Sequence, residues 1–183
     1  MIVGNGGFKD VQGKYPGLTS LSELTRAIHE GKAFAIGTEG EIAASSSVYL
    51  LGKSGDKQIH FDEFIADFSQ GNIRISLYED TIVSADGTPV IPSNMNFAST
   101  NEATLSVFSA PTITSNGTLK QPPKFLPLTG GGANVSPSQG GIAKGRVLKR
   151  NTNYLIRIEN LDANTAVTFG AILTWHESDV VLP

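Results

Sequence analysis

From Val167 to Trp175 every second residue is apolar: Val167, Phe169, Ala171, Leu173 and Trp175 are spaced by two, with Thr168, Gly170 and Thr174 in most of the intervening positions and His176 just beyond. Successive strand side chains point to opposite faces, so this run predicts a strand about 30 Å long that forms one wall of a core. Shorter runs of the same kind precede it. Val48-Tyr49-Leu50-Leu51 is a compact apolar strand closed by Gly52 and a Ser54-Gly55-Asp56 turn. Ile59, Phe61 and the stretch 64–68 follow, then a Gly71-Asn72 turn, then Ile73, Ile75 and Leu77 alternating with Arg74, Ser76 and Tyr78. Leu105, Val107 and Phe108 form another run, and Val147-Leu148 and Tyr154, Ile156 and Ile158 form two more. Only a weak run begins at Ile42. Many short strands with turn punctuation predict an all-β fold, an antiparallel β-sandwich that is jelly-roll-like.

One helix is predicted. Ser20-Leu21-Ser22-Glu23 has the S-x-x-E pattern of a capping box, and Leu21, Leu24 and Ile28 have helical spacing, which places a short helix over 21–29. Residues 1–18 carry four glycines before Tyr15 and a Pro16-Gly17 pair without periodicity, and read as an irregular arm. The expected organisation is therefore an N-terminal arm with its short helix over 1–27 and a sandwich domain over 28–183.

The middle of the chain echoes itself. Thr81-Ile82-Val83-Ser84-Ala85-Asp86-Gly87-Thr88 resembles Thr112-Ile113-Thr114-Ser115-Asn116-Gly117-Thr118, with Asp-Gly and Asn-Gly pairs that favour tight turns. Two independent hairpin turns or one duplicated element both fit. Between the two copies lies a polar, proline-marked stretch, 89–101, and a still longer connection spans 121–145. Loops beyond about 12 to 15 residues tend to be functional or disordered. Asn94, Met95, Asn96, Phe97, Phe125 and Asn134 in these stretches are the candidate partner-contact residues.

Composition changes this picture mainly by exclusion. At 183 residues the chain suits one domain with one core. It has no Cys, so disulfides, thiolate metal sites and Cys nucleophiles are ruled out. Fourteen Lys and Arg against 17 Asp and Glu leave a formal charge of −3, and the densest basic group is only Lys144, Arg146, Lys149 and Arg150. That is too little for a phosphate-binding stripe, so no nucleic-acid partner is expected. No apolar run approaches the ~20 residues of a membrane span or the length of a signal peptide, so neither a membrane partner nor export by the usual signal is expected.

Catalytic signatures are missing. His29, His60 and His176 show neither H-E-x-x-H nor H-x-H spacing, and no metal site or cofactor is expected. There is no G-x-S-x-G elbow, and Gly130-Gly131-Gly132 and Gly140-Gly141 lack the order of a phosphate-cradling loop. Asp62, Glu63, Glu79 and Asp80 are adjacent in pairs, and adjacent strand residues face opposite ways, which does not suit a glycosidase acid and base. Asn134-Val135-Ser136 and Asn116-Gly117-Thr118 match the glycosylation pattern as a coincidence of turn composition. No catalytic role is expected.

Several ordered stretches together resemble a family of virion structural proteins of tailed bacteriophages. They are Leu77-Tyr78-Glu79-Asp80-Thr81, then Val83 to Thr88, Ser93-Asn94-Met95-Asn96 and Ala110-Pro111-Thr112-Ile113-Thr114-Ser115-Asn116-Gly117-Thr118-Leu119. Val147-Leu148-Lys149, Asn151-Thr152-Asn153-Tyr154-Leu155-Ile156-Arg157-Ile158 and the closing Leu173-Thr174-Trp175-His176-Glu177 continue the series, and His29-Glu30-Gly31-Lys32-Ala33-Phe34 is similar to the family's opening. The resemblance covers roughly 28–177. Met95 departs from it, standing where the family has a basic residue between the asparagines, so a contact requiring that charge is not implied here. The resemblance implies a capsid decoration, or cement, protein on the virion surface, made in the host cytoplasm. Its partner would be the major capsid protein, and the simplest multivalent state a homotrimer at a three-fold position. The residues alone leave other roles open: a head-fibre or tail host-attachment module that stacks a surface glycan on Phe97 or Phe125, a cupin-like or glycosidase β-barrel enzyme, or a shell-forming jelly roll.

Overall fold

A computed structural model describes residues 22–127, 138–142 and 145–179, the segment 138–142 in its backbone only. The chain begins with helix α1 (Glu23–His29), followed by β1 (Ala33–Ile42), β2 (Ser47–Lys53), β3 (Gln58–Phe68), β4 (Ile73–Glu79), β5 (Ile82–Ala85), β6 (Thr88–Val90), β7 (Ser93–Asn94) and β8 (Ser106–Ser109). Then come β9 (Thr112–Ser115), β10 (Thr118–Leu119), β11 (Lys124–Leu126), β12 (Ser138–Ile142), β13 (Arg146–Leu148), β14 (Asn153–Asn160) and β15 (Val167–Ser178). One sheet runs β12-β3-β15-β1-β7, with β13 also on β3; the other runs β10-β4-β14-β2-β8-β6, with β11 also on β4. The orders β1-β15-β3-β12 and β2-β14-β4-β11 are those of a jelly roll, in which the first and last long strands are neighbours. Among the described residues no helix is long and apolar enough to cross a membrane.

The alternation that predicts β15 decides its facing: Val167, Phe169, Ala171, Leu173 and Trp175 are all buried. Across from them Ile75, Leu77, Ile156 and Ile158 of the second sheet complete the core. Strand β3 explains why its sequence reads as two fragments. Thr174 pairs with Glu63 but Trp175 pairs with Phe61, so Asp62 is an extra residue, a β-bulge. The inward set shifts phase there, from Ile59 and Phe61 to Phe64, Ala66 and Phe68. A bulge of this kind also re-aims the side chain it carries.

Strand β1 is the long element that the sequence hides. Only Ala33, Phe34, Ile36 and Ile42 are buried, and the polar, glycine-rich 37–41 separates them. It is nonetheless paired with β15 from Ala33↔His176 to Ile42↔Val167, so its partner imposes the extended form. Helix α1 starts two residues later than the S-x-x-E pattern implies. Its cap is Ser22, whose Oγ accepts from the Thr25 backbone N–H at 3.2 Å, so Glu23 is the first helical residue and not the third. The helix runs across residue 27 and buries Ala27 against the sandwich.

Residues 80–118 leave β4 and return to it, since Thr118 pairs with Glu79. Inside this crossover the two echoing segments are not hairpins: they pair with each other as β5 and β9, while Asp86-Gly87 and Asn116-Gly117 turn the chain into strands of the second sheet. The contacts are Ile82↔Ser115, Val83↔Ile113 and Ala85↔Thr112, which a shift of 30 residues maps onto one another around a quasi-two-fold axis. The same exchange relates Thr88↔Ser109 to Thr118↔Glu79. Gly87 lies on the Ser109–Ala110 peptide with φ +92°, and Gly117 on the Glu79–Asp80 peptide with φ +84°. A Cβ at either would collide with that backbone, which is why each copy of the echo carries glycine there.

Candidate partner-binding surface and a histidine corner

The asparagines of the crossover hold its loop in place. Asn94, at the end of the short edge strand β7, donates through Nδ2 to the Gly31 carbonyl at 2.9 Å and the Asn101 carbonyl at 3.1 Å. Its Oδ1 accepts from the Asn96 backbone N–H, and the Asn96 Oδ1 accepts from that of Ala98. Asn96 Nδ2 reaches the His29 carbonyl at 3.3 Å, and Asn101 Nδ2 those of Glu30 and Gly31. Met95 N–H donates to Ala33. The loop is thus clamped onto the α1–β1 turn through backbone groups that need partners. Asn94 and Asn96 are half-buried clamps, and Met95 is half-buried between them.

What the clamp presents is apolar. Phe97 lies in the turn closed by Ser99 N–H on the Asn96 carbonyl and is 94% exposed; Ile91, just before Pro92, is 85% exposed. Ile91 is a contact candidate that polarity and loop length did not single out. Phe125 is not in a loop but on β11, half-exposed beside Arg74 of β4. It stands at the edge of the sandwich opposite β7, so Phe97 and Phe125 do not converge on one ligand. Asn134 lies outside the described residues.

Behind the crossover is a charged hub. The buried Glu79 carboxylate accepts from Lys120 Nζ at 2.9 Å, Lys149 Nζ at 2.7 Å and Tyr154 Oη at 2.9 Å. Burial alone would raise its pKa, but the bonds from Lys149, Lys120 and Tyr154 outweigh that and hold it at about 2. Burial, together with the Glu79 charge, pushes the Tyr154 phenol the other way, up from its ordinary value. Glu177 is a second hub: it accepts from the Thr104 and Leu105 N–H groups, Thr104 Oγ1 and Trp175 Nε1, tying the crossover just before β8 to β15. Glu79 and Glu177, with Tyr154 and Trp175 bound to them, thus organise the fold here.

The histidines do meet, in part. His60 and His176 are cross-strand partners on β3 and β15, and their rings stack with centroids 4.5 Å apart. Burial, and then His176, push the His60 pKa down. The bulged Asp62 reaches His176 Nδ1 at 3.0 Å, and Glu23, at the start of α1, roofs the pair with Oε1 3.8 Å from His176 Nε2. Among the described residues, Glu23, His60 and His176 place one donor atom each within 4.8 Å of one another. Motif spacing could not find this group, because the pairing of β3 with β15 sets His60 beside His176 and α1 adds Glu23 from a third distant segment. No family model matches the chain, and no curated protein matches it.

Proposed function

We propose that this chain is a decoration protein of a tailed-phage head, which binds the outer surface of the shell and bridges capsomers. The reading rests on the ordered sequence resemblance and on one structural observation: Phe97 and Ile91 are held almost fully in solvent by a loop whose backbone is clamped. Ordering a loop on binding costs entropy, and a loop already fixed avoids much of that cost. Exposed aromatic residues on such a mount are the usual anchors of a protein interface. A stiff sandwich body then transmits load between the shell subunits it touches. Several modest contacts are enough, because tethering can add about 10² to 10⁴ in avidity, and a homotrimer would supply that multiplicity.

The test is direct. Purified chain is added to mature heads that lack it, and binding and the temperature of head rupture are measured. The expected result is saturable binding and a higher rupture temperature, both lost in the double variant Ile91→Ser, Phe97→Ser. Heads that neither bind the chain nor gain stability would reject the proposal.

A further inference from the structure

The geometry points to a binding site for a first-row transition-metal dication of the Zn²⁺ class, formed by Glu23, His60 and His176. The argument starts from His176, which is only 5% exposed. Its Nδ1 faces the carboxylate of Asp62, at 3.1 and 3.0 Å from the two oxygens. An ionised carboxylate only accepts, so Nδ1 carries the proton that joins them. In the neutral ring the Nε2 lone pair is then left bare, and Nε2 is buried with no hydrogen-bond partner. It is aimed at another electron-rich group, the Glu23 carboxylate, 3.8 Å away, too far for a hydrogen bond. The stacked His60 ring closes the third side.

A lone pair, a carboxylate and a second imidazole around one point favour a cation there. Two imidazoles and one carboxylate suit Zn²⁺ and its neighbours rather than Mg²⁺ or Ca²⁺, which prefer oxygen. Tetrahedral bonds of about 2.05 Å set ligand atoms about 3.4 Å apart, so the spacing of up to 4.8 Å must close by about 1.4 Å. Glu23, whose side chain is 56% exposed at the start of a helix, and half-buried His60, which must turn out of its stack on His176 to aim its lone pair at the ion, supply that movement. Asp62 would be the carboxylate that fixes the ring of a liganding histidine, an arrangement typical of zinc sites. The β3 bulge that reads as an irregularity is what brings Asp62 to that place. The nearby cation Lys32 is engaged by Asp179 and Glu30 and does not compete for Glu23.

The consequence is a staple. α1 has only seven residues, too few to persist alone in water, and a metal would fasten its first residue to two strands of the sandwich. With three protein ligands, a fourth position stays open to water or to a partner's side chain.

The experiment titrates Zn²⁺ into the untagged, chelator-stripped full-length chain, following stoichiometry by calorimetry and metal analysis, and repeats it with Co²⁺ for its visible spectrum. One ion per chain is expected, with a Co²⁺ band of tetrahedral intensity and a Tm raised by about 5 to 10 °C at hundredfold excess over Kd. Glu23→Gln and His60→Ala, both at positions that are not fully buried, should abolish the site while the metal-free Tm stays put. Asp62→Asn should weaken it about 10- to 100-fold, and His29→Ala, on the exposed side of the helix, should leave it intact. The proposal is overturned if no ion binds at 100-fold excess over the chain, if His29→Ala removes the ion as well, or if Zn²⁺ binding survives both Glu23→Gln and His60→Ala. A proton alone occupying the corner would appear as the first of these.

Discussion

The sandwich and the crossover are held by opposite means. In the sandwich, Phe64, Ile75, Leu155, Ile158 and Trp175 are shut away from water, and side-chain burial carries the stability. In the crossover β5 and β9 bury no residue, and the loop beyond them is fixed by side-chain amides on backbone carbonyls and by glycines pressed against the opposite strap. Burial makes a body stable, and the sandwich strands leave Phe125, Val147 and Ile172 only about half exposed, whereas Phe97 and Ile91 of the crossover stand almost fully in solvent. Polar clamping keeps a segment fixed while its apolar side chains stay outside.

Mutations should separate the two regimes. The largest loss belongs to the sandwich: Phe64→Ala is expected to cost about 3 to 5 kcal/mol in denaturant unfolding. Next come the crossing points, where Gly87→Ala and Gly117→Ala should each cost about 2 kcal/mol or more, because both need positive φ and both meet backbone. Similar penalties at the two sites would show that the quasi-two-fold relation is energetic; unequal ones would show that it is only a relation of path.

Glu79 joins the two regions, and Glu79→Gln is expected to cost about 2 kcal/mol near neutral pH. Its folded pKa of about 2 lies below the ordinary 4.5, so the stability it provides is complete above 4.5 and is lost as pH falls through 2. In the Gln variant that part of the acid dependence should vanish from unfolding midpoints taken between those values. Asn96→Ala should cost about 1 kcal/mol and speed amide exchange over 96–99. Phe97→Ala should shift stability by less than about 0.5 kcal/mol yet weaken head binding at least tenfold. A Phe97 variant that unfolds early would put that ring in the body and undo the contrast.

The sequence made the sandwich legible wherever alternation was clean. β15, β14 and β4 each present apolar residues at every second position and those residues are buried, although in β14 Leu155 and Glu159 and in β4 Ser76 are buried on the other face as well. Reading failed where a partner strand overrode local preference. β1 carries two glycines and three acidic or hydroxyl residues within 37–41, and only its pairing with β15 holds it extended. β3 read as two pieces because Asp62 shifts the phase. The repeat in the crossover was visible, but the pairing of its copies was not, since Asp-Gly and Asn-Gly pairs signal a turn without saying which strands they join. The histidine corner was invisible for the same reason. Register brings His60 beside His176, and register belongs to the sheet and not to any local window.

Glu79 and Thr118 are opposite one another, so 80–118 leaves β4 and returns to it at one seam after adding β7 to one sheet and β8 and β6 to the other. A guest peptide grafted between Phe97 and Ala98 would leave every rung of both large sheets in place while giving up the Asn96 bonds to Ala98 and Ser99. Because loop closure grows only slowly with length, the tip of this excursion is a natural port for carrying foreign cargo.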